Sequence, residues 1–230
     1  MLVAALYDVH GNLPALEAVL EELETVEPDL VVVGGDVALG PFPRETLETL
    51  LSLDDRARFV RGNTDRNLDE FTAASLTQEQ RDYLAGLPLT VSLDVDGLGA
   101  VLFCHASPRD DEEIVTRLSP AERLDPMLAG VTEEVVVCGH THVQYDRRVG
   151  DTRIVNAGSV GMPYEHEPGA YWALLGPGVE LRHTPYDLEG AVARVAASGH
   201  PDAEAWGREY VYAVNGPDEA SRYFEELATR

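Results

Sequence analysis

Seven side chains able to ligate a metal stand directly after short apolar runs. Asp8-Val9-His10 follows residues 2–7, Gly34-Gly35-Asp36 follows 30–33, and Gly62-Asn63-Thr64-Asp65 follows 58–60. His105 ends the run 100–104, and Gly139-His140-Thr141-His142 follows 134–138. Residues two apart point the same way on an extended chain, so Asp8 and His10 can converge on one point. Two Asp, one Asn and four His form a donor set of oxygen and imidazole without thiolate. That mixture suits two first-row divalent ions better than calcium or a structural zinc site. Taken singly, each motif has an ordinary reading as a turn, a cap or a packed histidine; in this order, all at strand ends, they point to one centre. The glycines at 34, 35, 62 and 139 suit close backbone approach where ligands crowd, with simple turn chemistry as the alternative.

The elements that must position these residues are legible in the periodicity. Residues 2–7, 30–33 and 58–60 read as strands. Helices are expected after Asn12, which can cap with Pro14 in the first turn and Leu16, Val19, Leu20 and Leu23 at helical spacing, and over 43–53. This βαβα order favours a sheet covered by helices, with sites at the carboxyl ends of its strands. From residue 90 the texture changes to strands at 90–95, 100–104, 134–138, 143–148, 152–155, 171–175 and 179–183, several joined by Gly turns. A second sheet packed on the first is expected. Residues 188–197, 203–212 and 218–227 read as short helices separated by Gly and Pro stops, a tail packed on the core or on a partner subunit.

Composition bounds the rest. With 230 residues, 44% hydrophobic and 25% charged, the chain is long enough for a real core, and disorder, collagen and coiled coil are disfavoured. No apolar run is long enough to span a membrane, and the start does not resemble a signal peptide, so the cytoplasm is the expected location. The formal charge is −24, and all 17 basic residues are Arg. Such a surface repels phosphate backbones, which makes nucleic acid an unfavoured partner. An anionic substrate then requires a local inversion of the field, which a metal cluster supplies. Cys104 and Cys138 lie in apolar runs and read as small buried hydrophobes rather than a disulfide.

The series Asp8-x-His10, Gly35-Asp36, Gly62-Asn63, His105 and Gly139-His140-Thr141-His142 resembles the calcineurin-like metallophosphoesterase superfamily. Gly40-Pro41-Phe42-Pro43, Ser107-Pro108-Arg109-Asp110 and the run 156–163, Asn-Ala-Gly-Ser-Val-Gly-Met-Pro, resemble its small prokaryotic phosphodiesterase branch. The resemblance implies an α/β fold, a four-layer αββα sandwich of two mixed sheets flanked by helices. It spans a core over 1–186, with 187–230 as a helical C-terminal extension. It further implies that Asp8, His10 and His142 hold one metal, that Asn63, His105 and His140 hold the other, and that Asp36 bridges both. Two cations about 3.5–4 Å apart need an anion between them. The implied reaction is in-line attack on phosphorus by a metal-bridging hydroxide, with Asp36, Asn63 and His105 central to catalysis. The substrate would be a small soluble phosphodiester or phosphomonoester. Two divalent transition-metal ions are implied, manganese first, with iron, zinc or nickel as alternatives.

Where the family commonly has a His after Gly-Asn, as leaving-group acid, this chain has Thr64, which cannot protonate a leaving group at neutral pH. The expectation is a preference for leaving groups that need little protonation, or another donor such as His166 or a metal-bound water. Tyr164 stands where relatives often have Arg. Arg109 and Arg66 are candidate phosphate contacts, with surface ion pairing as the alternative account; His166 is weighed against an ordinary exposed loop residue. Asp65 is a candidate to orient a ligand His. A protein-interaction scaffold of the same fold, as in the retromer subunit, is the competing function. An abandoned site should lose ligands, and here all seven positions are filled. A nuclease is disfavoured by the acidic surface. A homo-oligomer is compatible with the tail.

Overall fold

The strand at Val3–Leu6 (β1) is buried on both faces, with Val3, Ala5 and Tyr7 on one side and Ala4 and Leu6 on the other. A continuously apolar strand of this kind belongs at the centre of a covered sheet. In the computed structural model, which describes residues 1–213 and 215–229, β1 lies in the middle of five strands. Leu30–Val33 (β2) and Ala57–Phe59 (β3) run parallel to it on one side; on the other, Ala170–Leu175 (β9) pairs antiparallel with β1, and Val179–Thr184 (β10) pairs antiparallel with β9 at the edge. The second sheet has the order β4-β5-β6-β8-β7, from Thr90–Val95, Gly99–Cys104, Val135–Cys138, Thr152–Asn156 and Tyr145–Val149. Its β5, β6 and β8 are parallel, and its edges are antiparallel.

The two sheets face each other through Ala5, Tyr7, Val32, Phe103, Val137, Val155 and Leu175. Outside the first sheet, Leu16, Val19 and Leu23 of α1 (Leu13–Val26) and Leu47 and Leu50 of α2 (Pro43–Leu51) bury Leu6, Val33 and Trp172. Asn12 caps α1 by accepting from the Ala15 N–H at 3.3 Å. The second sheet's outer face is covered by a long loop and one short helix, α6 (Ala121–Leu124), through Val115, Leu124 and Met127. The fold is the expected pair of mixed sheets flanked by helices.

Three helices between the sheets' contributions were not legible: α3 (Asn63–Arg66), α4 (Glu70–Ser75) and α5 (Gln78–Ala85). Each is too short to develop an apolar stripe. Side-chain hydrogen bonds at their starts define them instead, with Asp65 of α3 accepting from Gly62 N–H, Asp69 accepting from Thr72 N–H, and Thr77 and Gln80 capping reciprocally. The tail forms α7 (Leu188–Ala197), α8 (Ala203–Trp206), a wider π-helical segment Gly207–Tyr212, and α9 (Pro217–Leu227). Its apolar face packs on Phe42, Met162 and Tyr186 of the sheet body. No helix of the described residues is long and apolar enough to cross a membrane. Cys104 and Cys138 are buried free thiols.

Candidate metal centre

Five strands of two sheets end at one place. The first sheet delivers Asp8 and His10 after β1, Asp36 after β2 and Asn63 after β3; the second delivers His105 after β5 and His140 and His142 after β6. The ends are tied together by main chain. His10 N–H donates to the Asp36 carbonyl at 2.9 Å, Asp8 N–H to Gly35 at 3.1 Å, and Gly139 N–H to His105 at 2.8 Å. Asp8, His10, Asp36, His140 and His142 all take positive φ, from 47° to 65°. Left-handed backbone costs an ordinary residue about 1–2 kcal/mol. Here the strand cannot continue, and the turn swings each side chain off the sheet edge towards the others.

Ligand atoms of Asp8, His10 and His142 lie within 4.8 Å of one another, as do those of Asp36, His105 and His140. Asp36 stands between the groups: Oδ2 is 3.7 Å from His10 Nε2 and Oδ1 is 3.6 Å from His105 Nε2. Asn63 Oδ1 is 3.1 Å from His105 Nε2. All seven candidate side chains are therefore brought together.

The hydrogen bonds behind the rings decide what faces inward. His105 Nδ1 is 2.9 Å from the Gly34 carbonyl and His142 Nδ1 is 2.7 Å from that of Met162. A carbonyl accepts only from N–H, so each Nδ1 carries the proton and each neutral ring turns its Nε2 lone pair to the centre. There His105 Nε2 meets Asn63 Oδ1 and Asp36 Oδ1, both acceptors. His142 Nε2 meets Asp8 Oδ1 at 3.3 Å and His10 Nε2 at 3.2 Å. Asp8 Oδ1 is buried and has no hydrogen-bond partner. Lone pairs gathered in a dry place are stabilised only by protons or cations. The donor set fits divalent ions on that ground.

The charge states show the same tension. Burial pushes His10 and His140 down to about 4, with neighbouring imidazoles adding to it. Burial also opposes charging of His105 and His142, but carboxylates overcome it, Asp36 chiefly for His105 and Asp8 chiefly for His142, and raise both above the ordinary imidazole value. Asp8, though burial works against its charge, is held well below the usual carboxylate range by His142 and His105.

Asp65 has a different role from the one expected. It touches no ligand His; it accepts from the backbone N–H groups of Asp36 (2.9 Å), Val37 (2.9 Å) and Gly62 (2.8 Å) and so fixes the turn that carries Asp36. Burial and the charge of Asp36 push its carboxyl up to about 7, against the pull of those N–H groups. The run 156–163 also braces the centre. Asn156 Nδ2 donates to the Gly139 carbonyl at 2.6 Å and Ser159 Oγ to that of Asp8 at 2.7 Å. A Cβ at Gly62 would meet Asp36 Oδ1 at 2.1 Å, and one at Gly139 would meet Asp8 Oδ2 at 2.4 Å, so close approach explains both glycines.

The expected phosphate contacts are engaged elsewhere. Arg66 forks onto Asp111 and also reaches Glu112, while Arg109 pairs with Glu113 and the Pro126 carbonyl. Ion pairing thus describes both, and phosphate would have to displace a carboxylate from either. His166 is exposed on its loop. Thr64 Oγ1 is buried without a partner, and its N–H donates to Asp36 Oδ1 at 2.9 Å. Sequence reasoning gave Tyr164 no role at the centre. Its ring stacks on His142 with centroids 5.2 Å apart and planes at 17°; only its place after the Pro of the 156–163 run hinted at this.

Comparison with known proteins adds a family and relatives. Residues 1–175 match the model of the calcineurin-like phosphoesterase superfamily domain. A metallophosphoesterase crystal structure from Sphaerobacter thermophilus superposes with a TM-score of 0.75 at 26% identity, covering 91% of this chain and 98% of that one. An uncharacterised protein of Methanocaldococcus jannaschii is 25% identical, over 87% of this chain and 94% of its own length. A symmetrical bis(5′-nucleosyl)-tetraphosphatase of Janthinobacterium sp. strain Marseille is 28% identical over 56% of this chain and 52% of that protein.

Proposed function

This chain belongs to the calcineurin-like phosphoesterase superfamily, and from that premise we propose that it hydrolyses a small soluble phosphodiester or phosphomonoester at a centre of two divalent ions. The observation that carries the reading is Asp36, whose two oxygens face imidazoles of different groups at 3.7 and 3.6 Å. Asp8, His10 and His142 would hold one ion, Asn63, His105 and His140 the other, and Asp36 would be shared. Ions bound there would neutralise charge on the phosphoryl oxygens and supply a water ionised near neutral pH. The likeness to a tetraphosphatase supports small phosphorylated compounds as substrates.

The chain's own part is to hold the donors and set their tautomers. Gly34 and Met162 carbonyls keep the protons of His105 and His142 on Nδ1, so that both rings present lone pairs without rearrangement. Thr64 N–H and Asp65 fix the Asp36 carboxylate and its turn. Thr64 offers no acid to a leaving group, so esters of acidic alcohols are the expected substrates.

The test is turnover of bis(p-nitrophenyl) phosphate with added Mn²⁺, beside an alkyl analogue. Asp36→Asn and His105→Ala are each expected to lower turnover at least about a hundredfold, with unchanged circular dichroism, and the aryl ester to outpace the alkyl one. Wild-type turnover in either variant would remove the proposal.

A further inference from the structure

Beyond His142, on the far side of Tyr164, lies an open cavity of about 390 Å³ lined by the C-terminal segments. Its rings are Tyr164, Tyr210, Tyr223 and Phe224, and its ionisable side chains other than the phenols are two carboxylates, Glu209 and Glu219. The rings do not form a flat slot. Tyr164 and Phe224 lie at 46° with centroids 6.1 Å apart, and Tyr223 and Phe224 at 70° and 5.9 Å. Rings tilted this way present faces from several directions, as a box, whereas a nucleobase wants two parallel faces. A box of negative ring faces beside carboxylates attracts an organic cation. Glu219 has no ion-pair partner among the described residues, and Glu209 meets only the exposed Arg208, at 3.1 Å.

The walls are held in place. α9 is clasped by Arg117, which reaches Asp218 and Ser221, and by Glu225, which accepts from Thr116, Ser119 and Arg123 at 2.6–2.7 Å. Glu209 and Tyr210 stand on the π-helical segment, a wide turn that is rare and frequently found at functional sites.

We propose that this cavity binds an alkylammonium compound, its cationic head among Tyr164, Tyr210, Tyr223 and Phe224. Tyr164 stands between the cavity and His142, so this site is separate from the metal centre and does not rest on the function proposed above. The overall negative charge suits a cationic ligand.

The cavity is tested without metal. Choline chloride is titrated into the full-length protein in EDTA and followed by nuclear magnetic resonance, beside its neutral isostere 3,3-dimethylbutan-1-ol and adenosine. Saturable choline binding is expected, about tenfold tighter than the isostere, and weakened several-fold by Tyr210→Leu and by the exposed Glu219→Gln. Equal binding of choline and the isostere, no saturation by choline, or binding of adenosine in its place would overturn the proposal.

Discussion

Asp8 Oδ1, buried and unpartnered, faces three imidazole nitrogens at 3.3–3.9 Å, and this crowding makes the stability of the metal-free protein depend on pH. His10 and His140 titrate near 4 in the fold and near 6.5 when unfolded. Between those values the unfolded chain binds more protons, so stability is lost as pH falls through the window, by up to about 3 kcal/mol per ring. His105 and His142 are raised, so their contribution is complete below about 6.5 and is lost as pH rises through their folded values. Asp65, pushed up to about 7, works against His10 and His140, its contribution falling as pH rises from about 4 to 7. Denaturant midpoints measured in EDTA should therefore peak near pH 6, and a flat profile between about pH 5 and 8 would contradict the assignment. Asp8, His10, His140 and His142 also carry backbone strain. His140, at φ 65°, should tolerate Asn but not Val. The expected loss with Val is about 1–2 kcal/mol, or several degrees in melting temperature, while both variants lose turnover. Equal melting of the two would argue against strain at this turn. The seven side chains that meet at the centre stood out in the sequence, because each follows an apolar run. The left-handed backbone of five of them, Asp8, His10, Asp36, His140 and His142, did not, since positive φ is uncommon for any residue but Gly. Ion pairing of Arg66 and Arg109 was legible as one of two readings, but its partners were not, because Asp111 and Glu113 arrive from a loop that sequence leaves without register.

At the scale of elements, the centre is a seam between two sheets, and glycine makes the seam close. Gly62 has ordinary dihedrals, φ −93° and ψ 168°, so Ala fits its own backbone, and the obstacle is the approach of a Cβ to Asp36, at 2.1 Å from Oδ1 and 2.3 Å from the backbone nitrogen, which must shift. Gly62→Ala should keep the fold and lower turnover about a hundredfold, since displacement of about an ångström at a reacting centre has that effect. Undiminished kcat would show that Asp36 need not stand where it does. The strands of both sheets were legible from apolar runs and turn residues. α3, α4 and α5 were not, because caps and not an apolar stripe define them. The tail helices were legible as helices, but their meeting with Tyr164 was not. Phe224 is at helical spacing from nothing catalytic, and only the fold brings α9 to residue 164.

For the whole molecule, a charge of −24 and a phosphoester substrate are compatible only if the field at the site is reversed. Composition made that requirement visible, and the meeting of Asp8, Asp36 and four imidazoles shows where the reversal would happen. The strand ends that matter are far apart in sequence, so only the two-sheet topology unites positions 8 and 142. The most direct measurement is anomalous diffraction from crystals soaked in manganese. Two peaks about 3.5–4 Å apart are predicted, one against Asp8, His10 and His142, the other against Asn63, His105 and His140, with Asp36 between them. A single peak, or none, at full occupancy of the soak would contradict the account.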